Sequence, residues 1–362
     1  MKNLKLFLFL SFLIVSISAQ GQKDFSVIAY YTGDDKEIDK YDVSKLTHII
    51  FSFCHLKDGK LSVDTAQDSL AIKHLVSLKT KHPKLKIMLS LGGWAGCAPC
   101  SEAFSTADGI AVFAQSVKEV NDYFKTDGID LDWEYPTIEG APGHLYQAAD
   151  KKNFTALVIS LRNVLGNNNE LSFAAGGFQK FLDESVEWEK IMPLVDRVNI
   201  MSYDLVNGFS KSTGHQTSIF STKSGEESTD KAVSYLLKLG IPSHKLVIGG
   251  AFYTRIWKEV SNANNGLYQS GVHIEGVSFK NYESTFSKEK GWKYYWDKKA
   301  KAAYWYNKNE KMFATGDNVA SIKEKTKYAI NKKLGGIMFW QLTIDNPKNG
   351  MLEAIDQAKK SK

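Results

Sequence analysis

Cysteine is scarce in this chain, with three in 362 residues, so a disulfide-dense scaffold does not hold it together. Two of the three, Cys97 and Cys100, form a CAPC motif that either closes a small disulfide or stays reduced. Two ligands do not make a zinc site, the eight histidines include no HExxH, and no metal is expected. CAPC also lacks a thioredoxin-like strand and helix around it, which argues against thiol exchange. Cys54 lies in an apolar run and reads as packing. A concentrated basic patch and a nucleic-acid-binding motif are both missing, and the net charge of +6 is modest and spread among acidic residues. Nucleic acid is therefore not an expected partner. Internal repeats, low-complexity linkers and a separate terminal binding module are absent too.

At the start, Lys2 and Lys5 precede an apolar run over 6–17 and a small residue at Ala19. The pattern predicts a signal peptide at 1–19 and export to an extracellular or periplasmic space; a strand or a retained anchor is the alternative. The remaining ~340 residues suffice for two average domains or one large barrel. Hydrophobic residues at 43% and charged residues at 24% exclude general disorder. The 8 Trp, 16 Tyr and 20 Phe would fill a core or line a carbohydrate site with flat apolar rings.

Short apolar strand candidates recur at 25–31, 46–54, 86–91, 128–133, 171–175, 195–201, 245–250 and 336–342. Segments with apolar residues at helical spacing lie among them, at 70–81, 111–124, 150–165, 185–192, 230–239, 321–332 and 351–359. Gly240 and Pro242 mark a helix stop. Repeated strand and helix predicts an α/β fold, and eight strands fit a closed parallel barrel. One interval breaks the rhythm: 256–317 is too long for an ordinary connection and reads as a small inserted α+β subdomain, or as an irregular surface loop. It divides a barrel of 23–255 and 318–362.

The segment DGIDLDWEYP, 127–136, carries the chemistry. In a strand, Asp130, Asp132 and Glu134 project to one side, while Ile129, Leu131 and Trp133 project to the other. The acids would face the barrel interior and mouth, and the apolar side chains the helices. Packing several like charges together raises at least one proton affinity, so Glu134, nearest the carboxyl end, can hold a proton to donate. A solvated acidic loop or a divalent-ion site is the competing reading; the apolar alternate face fits a barrel mouth better.

DGIDLDWEYP resembles the DxxDxDxE signature of glycoside hydrolase family 18, whose members are (β/α)8 barrels and include chitinases. Asp127, Asp130, Asp132 and Glu134 match its four acids, Asp127 as a structural member. Residues 90–94 (SLGGW) resemble the family's SxGG segment, with Gly93 and Trp94. Residues 201–204 (MSYD) resemble MxYD, with Met201, Tyr203 and Asp204, and Trp340 ends the last strand. Tyr30 and Phe53 match aromatic positions ending the first two strands, and Tyr135 follows the acid. Residues 251–255, ending in Arg255, resemble the stretch leading into the family's chitinase insertion domain.

The resemblance implies a retaining, substrate-assisted hydrolysis of β-1,4-linked N-acetylglucosamine polymers. Glu134 is then acid and base, Asp132 orients the substrate's acetamide, Asp130 shares hydrogen bonds deeper down, and Tyr203 contacts the acetamide oxygen. Tyr30, Phe53, Gly93, Trp94, Tyr135, Met201, Asp204, Arg255 and Trp340 become the expected sugar contacts. Chitin or chitooligosaccharides are the implied substrates, with no cofactor, no required protein partner and a monomeric chain. An endo-β-N-acetylglucosaminidase acting on N-glycans and a noncatalytic chitin-binding lectin are the alternatives.

Overall fold

A parallel strand buried on both faces reads as an unbroken apolar run, and eight such strands close a barrel in the computed structural model, which describes residues 25–361. The predicted signal peptide lies outside the described residues. The barrel strands are β1 (Ser26–Tyr31), β2 (His48–Lys57), β4 (Lys86–Gly92), β5 (Gly128–Asp132), β6 (Glu170–Gly176), β7 (Arg197–Met201), β8 (Leu246–Ala251) and β14 (Gly336–Trp340). A short β3 (Lys60–Ser62) pairs with the far end of β2. Parallel pairing runs through all eight barrel strands and closes between β1 and β2, giving the expected (β/α)8 barrel.

Around it lie α1 (Ala66–Ser77), α2 (Cys100–Ala103), α3 (Ala107–Phe124), α4 (Asp150–Leu165), α5 (Gln179–Glu184), α6 (Trp188–Ile191) and α7 (Thr229–Lys238). After the second sheet, which holds the short α8 (Tyr282–Thr285), come α9 (Val319–Asn331) and α10 (Met351–Lys360). No helix among the described residues is long and apolar enough to cross a membrane.

Alternation along each strand divides the core in two. Val27, Ala29, Ile49, Ile129, Leu131, Ile337 and Phe339 point outward to the helices, whereas Ile28, Tyr30, Ile50, Met88, Val247 and Met338 fill the barrel. Fully burying a side chain of the size of Ile337 contributes about 1.5–3 kcal/mol, so a one-residue slip of any strand would be penalised many times over. Helix starts are fixed locally: Thr65 and Asp68 cap α1 reciprocally, and Asn318 and Ser321 do the same for α9.

Five further strands form an antiparallel sheet: β9 (Thr254–Lys258), β10 (Val272–Ile274), β11 (Trp292–Asp297), β12 (Ala302–Asn307) and β13 (Met312–Gly316). It has its own aromatic core of Trp257, Tyr304, Tyr306 and Phe313.

Three boundaries differ from the sequence pattern. Strand β2 continues past Cys54 to Lys57 because the chain leaves the barrel in a hairpin turned at Asp58 and Gly59, both at positive φ. Of the helix expected over 185–192 only the short α6 (Trp188–Ile191) forms, and α5 (Gln179–Glu184) ends before that span begins. Val186 and Trp188 are both buried, and a helix would point residues two apart in nearly opposite directions. The second sheet begins at Thr254, slightly ahead of the expected 256.

Candidate active site

The acidic strand sends its residues to different depths. Asp127 precedes β5 at the amino end of the barrel, accepting from Lys79 Nζ at 2.8 and 2.7 Å and from the Ile87 amide at 2.8 Å. It ties the loop before β5 to β4 and lies away from the cleft. Asp127→Ala should lower stability by about 2 kcal/mol, since bonds to charged groups contribute about 1.5–3 kcal/mol. A lower urea midpoint with kcat essentially kept would bear this out; a collapsed kcat in folded protein would place Asp127 in the chemistry.

Asp130 is fully buried and accepts from four donors: Tyr30 Oη (2.8 Å), Ser90 Oγ (3.4 Å), Ser172 Oγ (2.6 Å) and Asn199 Nδ2 (2.9 Å). These partners come from β1, β4, β6 and β7, so one carboxylate stitches the barrel interior. Burial raises its pKa, against the hydrogen bonds and the Arg197 charge that favour ionisation.

Asp132 is 4% exposed and its Oδ1 has no hydrogen-bond partner among the described residues. Burial raises its pKa well above the carboxylate range, and the charges of Glu134 and Asp130 push the same way. Glu134 stands just beyond the end of β5, half-buried at the barrel mouth, while Trp133 between them turns outward onto Phe104 and Phe154. Burial lifts Glu134 to about 7; a hydrogen bond with Tyr135 opposes this and the Asp204 charge adds to it. Asp132 and Glu134 are an interacting pair that titrates as a unit. Such a pair holds a proton near neutrality, which is what a general acid requires.

Above the pair opens a cleft of ≈ 1270 Å³. Phe53, Gly93, Trp94, Asp132, Glu134, Tyr135, Met201, Tyr203, Asp204, Arg255 and Trp340 all line it. Trp340 forms part of its floor, stacked on Phe53 with centroids 5.4 Å apart. Trp94, 43% exposed, meets Tyr135 at 6.4 Å and Phe209 at 6.2 Å. Gly92 must be glycine, since at φ +106° a Cβ would lie 2.3 Å from the Asp132 carbonyl oxygen. Non-proline cis peptides occur at Ser52–Phe53, Glu134–Tyr135 and Trp340–Gln341.

Opposite the acids, Asp204 accepts two hydrogen bonds from Arg255, through Nε at 2.7 Å and an Nη at 2.8 Å, and a third from Tyr253 Oη at 2.8 Å. This clamp joins the loop after β7 to the start of the second sheet. Tyr203 is 9% exposed, and among the described residues its hydroxyl meets Met338 Sδ, a weak acceptor, at 3.9 Å. Burial, then the charges of Asp132 and Glu134, raise its pKa well above the usual value, so it remains a donor.

One position, Tyr30, departs from the expected sugar contacts. Tyr30 is 1% exposed and lies beneath the floor, against Trp340 at 5.9 Å, with its hydroxyl committed to Asp130. Arg255 lines the cleft, with its Nε and one Nη given to Asp204. Pattern reasoning passed over Phe178, Phe209, His55 and His273, which also line the cleft. Phe209 could have been found by scanning post-strand loops for aromatics, since it follows Asn207-Gly208 in the loop after MSYD. The other three carry no local signal. Cys97 and Cys100 are disulfide-bonded.

Known proteins resemble this chain in sequence and in fold. It is 33% identical over 301 residues to chitinase A1 of Niallia circulans, which covers 76% of this chain but only 43% of that one. It is 31% identical over 334 residues to chitotriosidase-1 of Mus musculus, covering 85% and 68%. A solved family 18 N-acetylglucosaminidase from Paenibacillus barengoltzii superposes with a TM-score of 0.83 at 33% identity, covering 92% of this chain and 100% of that one. The description "Glycosyl hydrolases family 18" matches residues 26–345. Because that match begins on the first residue of β1 and ends beyond β14, it takes in the acidic strand, the cleft and the second sheet alike, and the chain belongs to glycosyl hydrolases family 18.

Proposed function

We propose that this chain, a chitinase-type glycoside hydrolase, cleaves β-1,4 bonds between N-acetylglucosamine units with retention of configuration, using the substrate's own acetamide as nucleophile. The observation that carries the reading is the pairing of Glu134, whose pKa burial lifts to about 7, with a buried Asp132 whose Oδ1 lacks a partner among the described residues. Asp130 is saturated by four donors and sits too deep to attack a sugar. A substrate N–H would satisfy Asp132, and an acetamide supplies one.

In the first step Glu134 protonates the bridging oxygen as the C–O bond breaks, while the acetamide oxygen bonds to the anomeric carbon. Asp132, the ionised partner of the protonated Glu134, orients the amide and stabilises the positive charge that develops on the ring formed. Tyr203 donates to the acetamide oxygen. Holding the amide next to the anomeric carbon makes its attack intramolecular, which is a large share of the rate gain. Glu134 then removes a proton from water, which opens the ring from the face the leaving group vacated, so configuration is retained. Trp340 is the platform beneath the sugar, with Trp94 and Tyr135 flanking further units.

The names of the curated relatives, chitinase A1 and chitotriosidase-1, support chitin or its oligomers as substrate. The second sheet, taken as an inserted domain over 256–317, walls the groove through residues such as His273 and Val277. The apolar run at 6–17 supports export. One finding favours a second reading: the Paenibacillus barengoltzii relative is an N-acetylglucosaminidase matched over its whole length, so release of single sugars is the competing product pattern.

Time-resolved product analysis on defined chitooligosaccharides, with the first anomer identified, tests the proposal. The β-anomer should appear first. An α-anomer would overturn the retaining mechanism, cleavage confined to a high-mannose glycopeptide would assign the N-glycan activity, and binding without turnover would leave a lectin.

The pH profile gives a further expectation. Glu134 must be protonated to act, and its pKa is held up at about 7, so kcat/KM should fall as pH rises through about that value. Asp204 is one of the charges holding it up. Asp204→Asn removes that charge and leaves Arg255 uncompensated, and both effects favour the ionised acid. The alkaline limb should move to lower pH; a limb that stays or moves upward would show that Asp204 does not tune Glu134.

A further inference from the structure

CAPC, which the hydrolysis leaves without a task, sits at the foot of the loop that carries Trp94. This loop is held at both ends. At the first, the Gly93 amide donates to the Asp132 carbonyl at 2.8 Å and the Gly96 amide to the Gly93 carbonyl at 3.0 Å. Cys97 Sγ packs over Gly92, 3.2 Å from where a Cβ would lie. The loop therefore starts on the backbone of Asp132. Between these anchors Trp94 and Ala95 are exposed, and rings of Tyr135 and Phe209 are the aromatic neighbours of Trp94.

At the other end Cys100 is fully buried and begins α2. The next residue, Ser101, donates to both oxygens of buried Asp150 at 2.9 Å and accepts from Gln147 Nε2 at 2.9 Å. Asp150 also accepts from the amides of Gln147 at 2.8 Å and Thr137 at 3.5 Å. It thereby brackets the loop that follows Glu134 and Tyr135, from which Glu139 and Gly140 line the cleft. The exposed Ala98-Pro99 turn is all that separates the two ends, and the disulfide spans it.

We infer that the Cys97–Cys100 disulfide is a positioning clip for the substrate-binding wall: it ties the Trp94 loop to the Asp150 bracket and so holds Trp94 in register with the residues that follow Glu134. The cysteines touch no reacting atom, and their effect passes through Trp94. The inference rests on the reading that this cleft takes a chain of N-acetylglucosamine units. Opening the clip needs a dithiol reductant: one S–S bond breaks, the dithiol is oxidised to its cyclic disulfide, and two protonated thiols remain. Both sulfurs are buried, so wild-type protein reacts through local opening.

The test compares wild type with Cys97→Ser/Cys100→Ser by two readouts. In hydrogen exchange without ligand, the Gly93 and Gly96 amides should exchange about ten-fold faster or more in the double variant, while β5 keeps its protection. In kinetics on chitotetraose, KM should rise about five-fold or more with kcat within about two-fold. In a Trp94→Ala background, removing the clip should leave KM unchanged. Unaltered exchange at Gly93 and Gly96, or an equal rise in KM with and without Trp94, would overturn the clip. If the double variant does not fold, wild type reduced with dithiothreitol and alkylated in the folded state gives the same two readouts. If wild type fails to cleave chitooligosaccharides, the functional proposal falls, and hydrogen exchange alone still decides whether the disulfide holds this loop.

Discussion

Glu134→Gln should retain the fold and most oligosaccharide affinity while kcat falls by about 10²–10⁴-fold, the range that a positioned general acid supplies. Glutamine keeps the shape and the capacity to hydrogen-bond but has no proton to deliver to the departing oxygen. It also cannot take one from water in the second step, so both halves of the reaction stall. The loss should appear in kcat and not in KM, because the interaction removed exists in the transition state. Stability should move the other way. Glu134 is held at about 7 in the folded protein, against an ordinary value of 4.5. The folded state thus keeps a proton that the unfolded chain releases, and wild-type stability declines as pH rises from about 4.5 through 7. The glutamine variant escapes this penalty. Its thermal midpoint above pH 7 should equal or exceed that of wild type, and near-normal turnover in a purified sample would remove Glu134 from its assigned role.

The barrel and its acidic strand were legible because burial on two faces leaves a mark in sequence. Residues 128–133 alternate acid with Ile, Leu and Trp, and only a wall between a polar interior and an apolar helix layer satisfies both faces at once. Legibility ended where structure depends on distant partners. Tyr30 and Phe53 were both expected as aromatics at strand ends, yet Tyr30 is drawn under the floor by Asp130, 100 residues away, while Phe53 lines the cleft. Arg255 and Asp204 are 51 residues apart, and nothing local announces that they pair. The β2–β3 hairpin was hidden for a different reason: beyond Cys54 the strand leaves the barrel, and its pattern becomes polar.

Asp132→Asn carries the second large expected effect, a fall in kcat of about 10²–10³-fold, the magnitude found when one preorganised electrostatic contact is removed from a site. The wild-type carboxylate has a buried Oδ1 with no partner among the described residues. Such an oxygen ordinarily costs stability, and it is tolerable where a substrate group completes it. Asparagine can offer one oxygen to the acetamide N–H, but it brings no charge to set against the positive ring formed by acetamide attack. Asp132→Ala should therefore be impaired to a similar degree, which separates charge from shape: if Asp132 only filled space, asparagine would restore turnover and alanine would not. Burial raises the Asp132 pKa, so the folded state resists its ionisation and, by the same sign as for Glu134, is disfavoured as pH rises above the ordinary carboxylate value. Asparagine should thus give a higher thermal midpoint at neutral pH together with the loss of rate. Opposed changes of this kind mark a residue retained for reactivity at the expense of stability. A variant that hydrolyses chitotetraose at the wild-type rate, or loses rate and stability together, would show that the charge at this position does not act on the substrate.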